Sequence, residues 1–140
     1  MSSHPIRTLY TSVKNALNAI DGHEAFAEFA PIGAERPYIV FFLASGSDTR
    51  TNPKNRQMMT LTVKCVANTL SEALTGASAL DGILANGGLF NRGGIVGDGD
   101  WAICTIIRNG TVNLVEFDEQ VKPIYHSGYS YEIVMEVMED

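Results

Sequence analysis

A basic surface is the first thing this sequence lacks. Ten lysines and arginines stand against sixteen acidic residues, a formal net charge of −6. Non-specific nucleic-acid binding works by neutralising phosphates, so this balance argues against it. Long apolar runs are missing too. The longest, Tyr38–Ala44 (YIVFFLA), has strand length and falls far short of the ~20 residues that span a bilayer. The first residues, MSSHPIRTLYTSVKN, lack the basic-then-apolar layout of a secretory signal, which makes the cytoplasm the default expectation. Cysteine is scarce: Cys65 and Cys104 lie far apart, each in an apolar strand-like run, with no histidine near either. That spacing does not make a zinc site. Two reduced, buried core thiols are expected rather than a disulfide.

What is present suits one globular domain over residues 1–140, with 45% hydrophobic and 19% charged residues. Ile6, Leu9, Tyr10, Val13, Leu17 and Ile20 recur at three- and four-residue steps, the stripe of an amphipathic helix. Ser2 and Ser3 are placed to cap it, and Asp21-Gly22 ends it. Phe26–Ile32 reads as a short extended piece that Pro31 keeps off the centre of a sheet. YIVFFLA reads as a strand covered on both faces. The polar segment Ser45–Gln57 then leads to Met58–Ala67, where Met59, Leu61, Val63, Cys65 and Ala67 alternate with Thr60, Thr62 and Lys64.

Thr69-Leu70-Ser71-Glu72 has the capping-box pattern, opening a second helix with Leu70, Leu74, Ala77, Leu80 and Leu84 on one face. Trp101–Arg108 and Thr111–Phe117 flank Asn109-Gly110, a strong hairpin signal because both residues accept positive φ. Asp118–Gly128 reads as a polar connection, and Tyr129–Met138 as a last strand whose acidic end, Glu136–Asp140, keeps an edge soluble. The expected class is α+β: a mainly antiparallel sheet with two helices packed on it, in a single domain.

The candidates for chemistry are sparse. His4, His23 and His126 form no metal-binding helix pair, and there is no G-x-S-x-G nucleophile elbow. The nearest catalytic grouping is His126 with Asp118 or Glu119 and a serine. The glycine-rich stretch 86–100 (NGGLFNRGGIVGDGD) has no lysine and hydroxyl after it, as a P-loop requires. It follows a helix and precedes a strand, the reverse of a dinucleotide fingerprint. Asp98 and Asp100 lack the further oxygen ligands and closing glutamate of a calcium loop. These glycines are read as turns in a helix-to-strand connector. Asn109-Gly110-Thr111 matches a glycosylation sequon but is read as a turn. No catalytic residue, cofactor or metal is expected.

The order of features resembles the tail-completion, or tail-terminator, family of long-tailed bacteriophages. The resemblance rests on proline leading into a strand (Arg36-Pro37-Tyr38-Ile39-Val40), a polar loop, a strand with Lys64-Cys65-Val66-Ala67, and the helix opening Thr69–Leu74 (TLSEAL). A short first helix and a final alternating strand also fit, so it runs from about Ile6 to the C-terminus. It implies a structural virion protein, assembled in the host cytoplasm: a ring of copies of this chain, six in the usual case, on the head-proximal end of the tail tube. Its partners are then itself, the tail-tube protein and a head-side connector, with DNA only passing through the lumen and no membrane involved. An acidic lining is compatible with DNA sliding past. On this reading Asp48, Arg50, Lys54 and Arg56 of the polar loop suit partner contact, and Tyr38, Val40 and Phe42 suit the subunit interface. Another neck component, or a small α+β enzyme or ligand-binding domain, are the alternatives.

Overall fold

A computed structural model describes residues 5–48, 56–84 and 101–137. Two helices and five strands follow in the order α1 (Pro5–Leu17), β1 (Ala25–Ala27), β2 (Tyr38–Asp48), β3 (Arg56–Ala67), α2 (Leu70–Leu84), β4 (Trp101–Phe117) and β5 (Pro123–Val137). They build the α+β domain expected from the hydrophobic patterning: one sheet, ordered β1-β2-β3-β5-β4, with both helices packed on it. Every pairing is antiparallel except β1 with β2.

The stripe on α1 is the face that is buried, with Leu9, Val13 and Leu17 fully enclosed and Ile6, Tyr10 and Ile20 packed at its margin. The helix closes at Leu17, before Ile20 and the predicted stop at Asp21-Gly22, and Gly22, at φ +77°, is left-handed in the turn that follows. Ser2 and Ser3 lie outside the described residues. In β3 the predicted alternation holds: Met59, Leu61, Val63 and Cys65 are buried against the helices. At the start of α2 the amide of Glu72 donates to Thr69 Oγ1 at 3.2 Å, and that hydroxyl donates to Glu72 Oε1 at 3.1 Å. The cap is real, although the Glu72 carboxylate takes the hydroxyl rather than the Thr69 amide.

Four expectations change. First, α2 turns Ala73, Gly76, Ala77, Leu80 and Leu84 inward, and Leu70 and Leu74 are about half exposed. Small residues let the helix lie close: a Cβ on Gly76 would sit 2.3 Å from Cys65 Sγ. Second, Asn109-Gly110 is no hairpin turn. β4 runs through it, with Asn109 as the extra residue of a bulge opposite Tyr131 and Ser130. Third, the polar connection shrinks to the turn 118–122, because Pro123–Gly128 already belong to β5. Fourth, β5 is no edge. It pairs with β3 on one side and β4 on the other, so β3 and β4 run parallel with the later strand between them. Residues 138–140 of the acidic end lie outside the described residues, as does the glycine-rich segment 86–100 with the turns expected within it.

Candidate functional site

Cys65 is buried and free, and burial pushes its thiol up to about 11, so it is a packing residue and not a nucleophile. Among the described residues no group of three or more His, Cys, Asp and Glu side chains could hold a metal ion. His4, Asp98 and Asp100 lie outside them. His23, on the loop after α1, places Nδ1 2.9 Å from the Asp21 carbonyl.

The sheet ladder places His126 beside a different carboxylate from those its sequence neighbours suggest. Its Nε2 lies 2.6 Å from Glu116 Oε1, across the β4–β5 pair. Asp118 is otherwise engaged: its Oδ1 accepts the amides of Gln120 and Lys122 at 2.8 and 2.9 Å. Nor does the adjacent serine complete a triad, since Ser127 Oγ donates to Asn113 Oδ1. With Nε2–H donating to Glu116, the buried Nδ1 lone pair has no partner among the described residues. Burial lowers the His126 pKa, and the opposing pull of exposed Glu116 does not overcome it.

That shift has a defined sign. The folded imidazole titrates below its usual 6.5, so the unfolded chain takes up the proton first. The contribution is complete above about pH 6.5 and is lost as pH falls through the lower folded pKa. His126→Gln is therefore expected to flatten the loss of stability between about pH 7 and pH 5, read from urea midpoints at each pH. An equal slope in the variant would show that other groups carry it.

The residues anticipated for contact are distributed as follows. Tyr38 and Phe42 are half-buried on the face of β2 away from the helices, and Val40 between them is 6% exposed within a single copy. Lys64 lies over the Phe42 ring, 5.9 Å from its centroid. Arg50 and Lys54 lie outside the described residues. Asp48 ends β2 and Arg56 opens β3, so the strands reach further into the polar segment than Ser45–Gln57 suggests.

Besides Leu70 and Leu74 on α2 and Met58 on β3, exposed apolar side chains lie at the two edges of the sheet. Val115 and Phe117, at the end of edge strand β4, are 50% and 63% exposed, and Val121 in the following turn is 74% exposed. The turn is braced: Asp118 N donates to the Lys122 carbonyl at 3.0 Å and Val121 N to the Asp118 carbonyl at 2.9 Å. It holds Val121 at φ 60°, a conformation that β-branched residues rarely adopt. At the other edge, an open cleft of about 930 Å³ lies beside β1, lined by Phe26, Pro31, Ile32, Ala34 and Pro37 and as much by Lys14, Asn18, His23, Glu24 and Glu35. Ile32 is fully exposed and Phe29 is 75% exposed. Sequence reasoning missed these residues. The one local signal was an apolar side chain, Val121, inside an otherwise polar turn.

No family model matches the chain, and no curated protein matches it. Among solved structures, its fold is shared with a chain from the virion of a native gene transfer agent particle. The TM-score is 0.62 over 96% of this chain and 99% of that one, at 11% identity. At that identity the likeness is one of fold.

Proposed function

We propose that this chain is a structural virion protein acting as a tail terminator. Copies of it close into a ring, hexameric in the family it resembles, on the head-proximal end of a tail tube. The ring stops tube growth and presents a joining surface to the head-side connector, while DNA passes through the lumen. The observation that carries this reading is the fold, matched over nearly the full length of both chains to a component of a virion. The order of sequence features supports it independently. Exposed apolar side chains at the sheet edges, Phe117 and Ile32 among them, suit contact between copies.

Polar side chains are tied into structural contacts: His126 to Glu116, Asp118 to its own turn, and Asp81 of α2 to Tyr131 and Arg108. Such groups brace a scaffold. Purified protein is expected to form rings in negative stain, alone or on adding isolated tail tubes, and particles lacking it are expected to carry overlong tails. Tails of normal length on heads that leak DNA would instead make it a head-side neck component. A protein that stays monomeric with tubes present would end the ring reading.

A further inference from the structure

Three connections of the chain meet at one end of the sheet: the loop entering β2, the step from β3 to α2, and the turn 118–122 entering β5. The register brings them together, since Tyr38 pairs with Val66, Ala67 with Tyr125, and Phe117 with Pro123. Between them lies a pocket of about 540 Å³ lined by Arg36, Asn68, Asp118, Gln120, Lys122 and Pro123. Donors dominate its wall. Arg36 Nε donates to Asn68 Oδ1 at 2.7 Å, which orients the guanidinium and leaves both Nη groups with no partner among the described residues. The Lys122 ammonium has none among them either. Asp118 is the one carboxylate in the wall, and its Oδ1 is engaged by the amides of Gln120 and Lys122.

An oriented guanidinium beside an ammonium suits a carboxylate or a phosphate. The rim decides between them. Val121, between two lining residues, is 74% exposed, and Phe117, paired with Pro123, is 63% exposed. Phosphate gains nothing from apolar neighbours, and a net charge of −6 disfavours nucleic acid. Pocket and rim together fit a polypeptide segment in which carboxylates follow an apolar side chain. This chain carries one: residues 137–140 read Val-Met-Glu-Asp. They lie at the opposite end of the sheet, where Val137 pairs with Trp101. The 15 residues of β5 put roughly 50 Å between that end and the pocket, whereas residues 138–140 reach only about 10 Å. A copy cannot fill its own pocket, but another copy can.

We infer that residues 138–140 of one copy seat in the Arg36–Lys122 pocket of the next, with Glu139 and Asp140 on the two cations and Met138 against Val121 and Phe117. The partner is a second copy of this chain, so as a ring contact it rests on the ring reading above. It is heterologous, joining opposite ends of the sheet, and it closes into a ring when the strands run around the circumference.

The test uses the full chain as wild type, Lys122→Glu, the double variant Glu139→Lys/Asp140→Lys, and a chain carrying all three changes. Native mass spectrometry and sedimentation velocity read the assembly, and circular dichroism reads the fold. Lys122 is exposed, so Lys122→Glu is expected to keep the wild-type thermal midpoint. Reversing one side sets like charges together at every contact, and assembly is expected to weaken at least about tenfold. With all three changes opposite charges meet again, and assembly is expected to rise above that of either reversal alone. A fluorescein-labelled peptide of residues 134–140 (VMEVMED) probes the pocket directly. The receptor is the Glu139→Lys/Asp140→Lys chain, in which no native tail competes. Binding read by anisotropy is expected there, weaker as salt rises, and at least about tenfold weaker in the chain with all three changes.

Wild-type rings with variants that assemble equally well would overturn this contact and leave the ring reading standing. Loss in each reversal without recovery in the three-change chain would do the same. So would a peptide that binds neither receptor, or both alike, while wild type forms rings. A wild type that forms no ring, beside a receptor that binds the peptide as expected, would keep the contact and end the ring reading. Neither ring nor peptide binding would remove both.

Discussion

Gly128→Ala is expected to abolish the native fold. Gly128 is buried in the middle of β5, opposite Lys64 of β3. A Cβ there would lie 2.0 Å from the Val63 carbonyl oxygen and 2.5 Å from the Lys64 Cα. Both are backbone atoms, so no side-chain rotation relieves the overlap, and the two strands must part at the centre of the sheet. Overpacking against movable side chains costs about 1–3 kcal/mol. Prying apart a central ladder exceeds that and consumes much of the roughly 5–15 kcal/mol that keeps a domain folded. The expected result is insoluble or unfolded protein by circular dichroism. Gly82→Ala is the matched control: its Cβ meets nothing within 4 Å in α2, and alanine should add up to about 1 kcal/mol in a urea titration. A well-folded Gly128→Ala protein with wild-type stability would show that the strands are not pressed together there.

The second large effect is expected at Asp81. From α2 it reaches across to the sheet, accepting the Tyr131 hydroxyl on Oδ1 at 2.7 Å and the Arg108 guanidinium on Oδ2 at 2.9 Å. Arg108 also lies over the Tyr129 ring, 4.6 Å from its centroid. The two contacts differ in weight. Arg108 is 48% exposed, so its ion pair is worth about 0–1 kcal/mol. Tyr131 is fully buried, and without Asp81 its hydroxyl is left unpaired at about 1–3 kcal/mol. Burial and the neighbouring carboxylate hold the phenol strongly toward its neutral, donating form. Asp81→Ala is therefore expected to lose about 1–4 kcal/mol, mostly through Tyr131. Asp81→Asn, which keeps an acceptor, should lose less. In Tyr131→Phe the Asp81→Ala change should cost only about 0–1 kcal/mol more. Equal losses in both backgrounds would move the effect to Arg108.

How much of this could be read in advance follows from which forces act locally. The stripe of α1, the alternation of β3 and the Thr69 cap are set within one or two turns of chain, and they were legible. What failed depended on distant partners. Asn109-Gly110 satisfies the local demands of a hairpin and of a bulge alike. Only the long β5 beside it decides for the bulge. His126, Ser127 and Gly128 look like a polar loop, yet two flanking strands bury them. The inward face of α2 was misjudged because its small residues, not its leucines, allow close approach to β3. The exposed apolar surface was the least legible part. Exposure of Phe117 and Ile32 depends on where the sheet ends, which no residue announces.

The position of β5 bears finally on how the protein is made. Synthesis delivers β3, α2 and β4 before the strand that joins β3 to β4. Until Pro123–Val137 has left the ribosome, β3 can pair only with β2, and the ladders that β3 and β4 each form with β5 stay open. At about 5–20 residues per second the interval lasts only seconds, but pairings this distant in sequence also form slowly. Nascent chains are thus expected to depend on chaperones late in translation, and those stalled within β5 to be degraded rather than to hold a partial sheet.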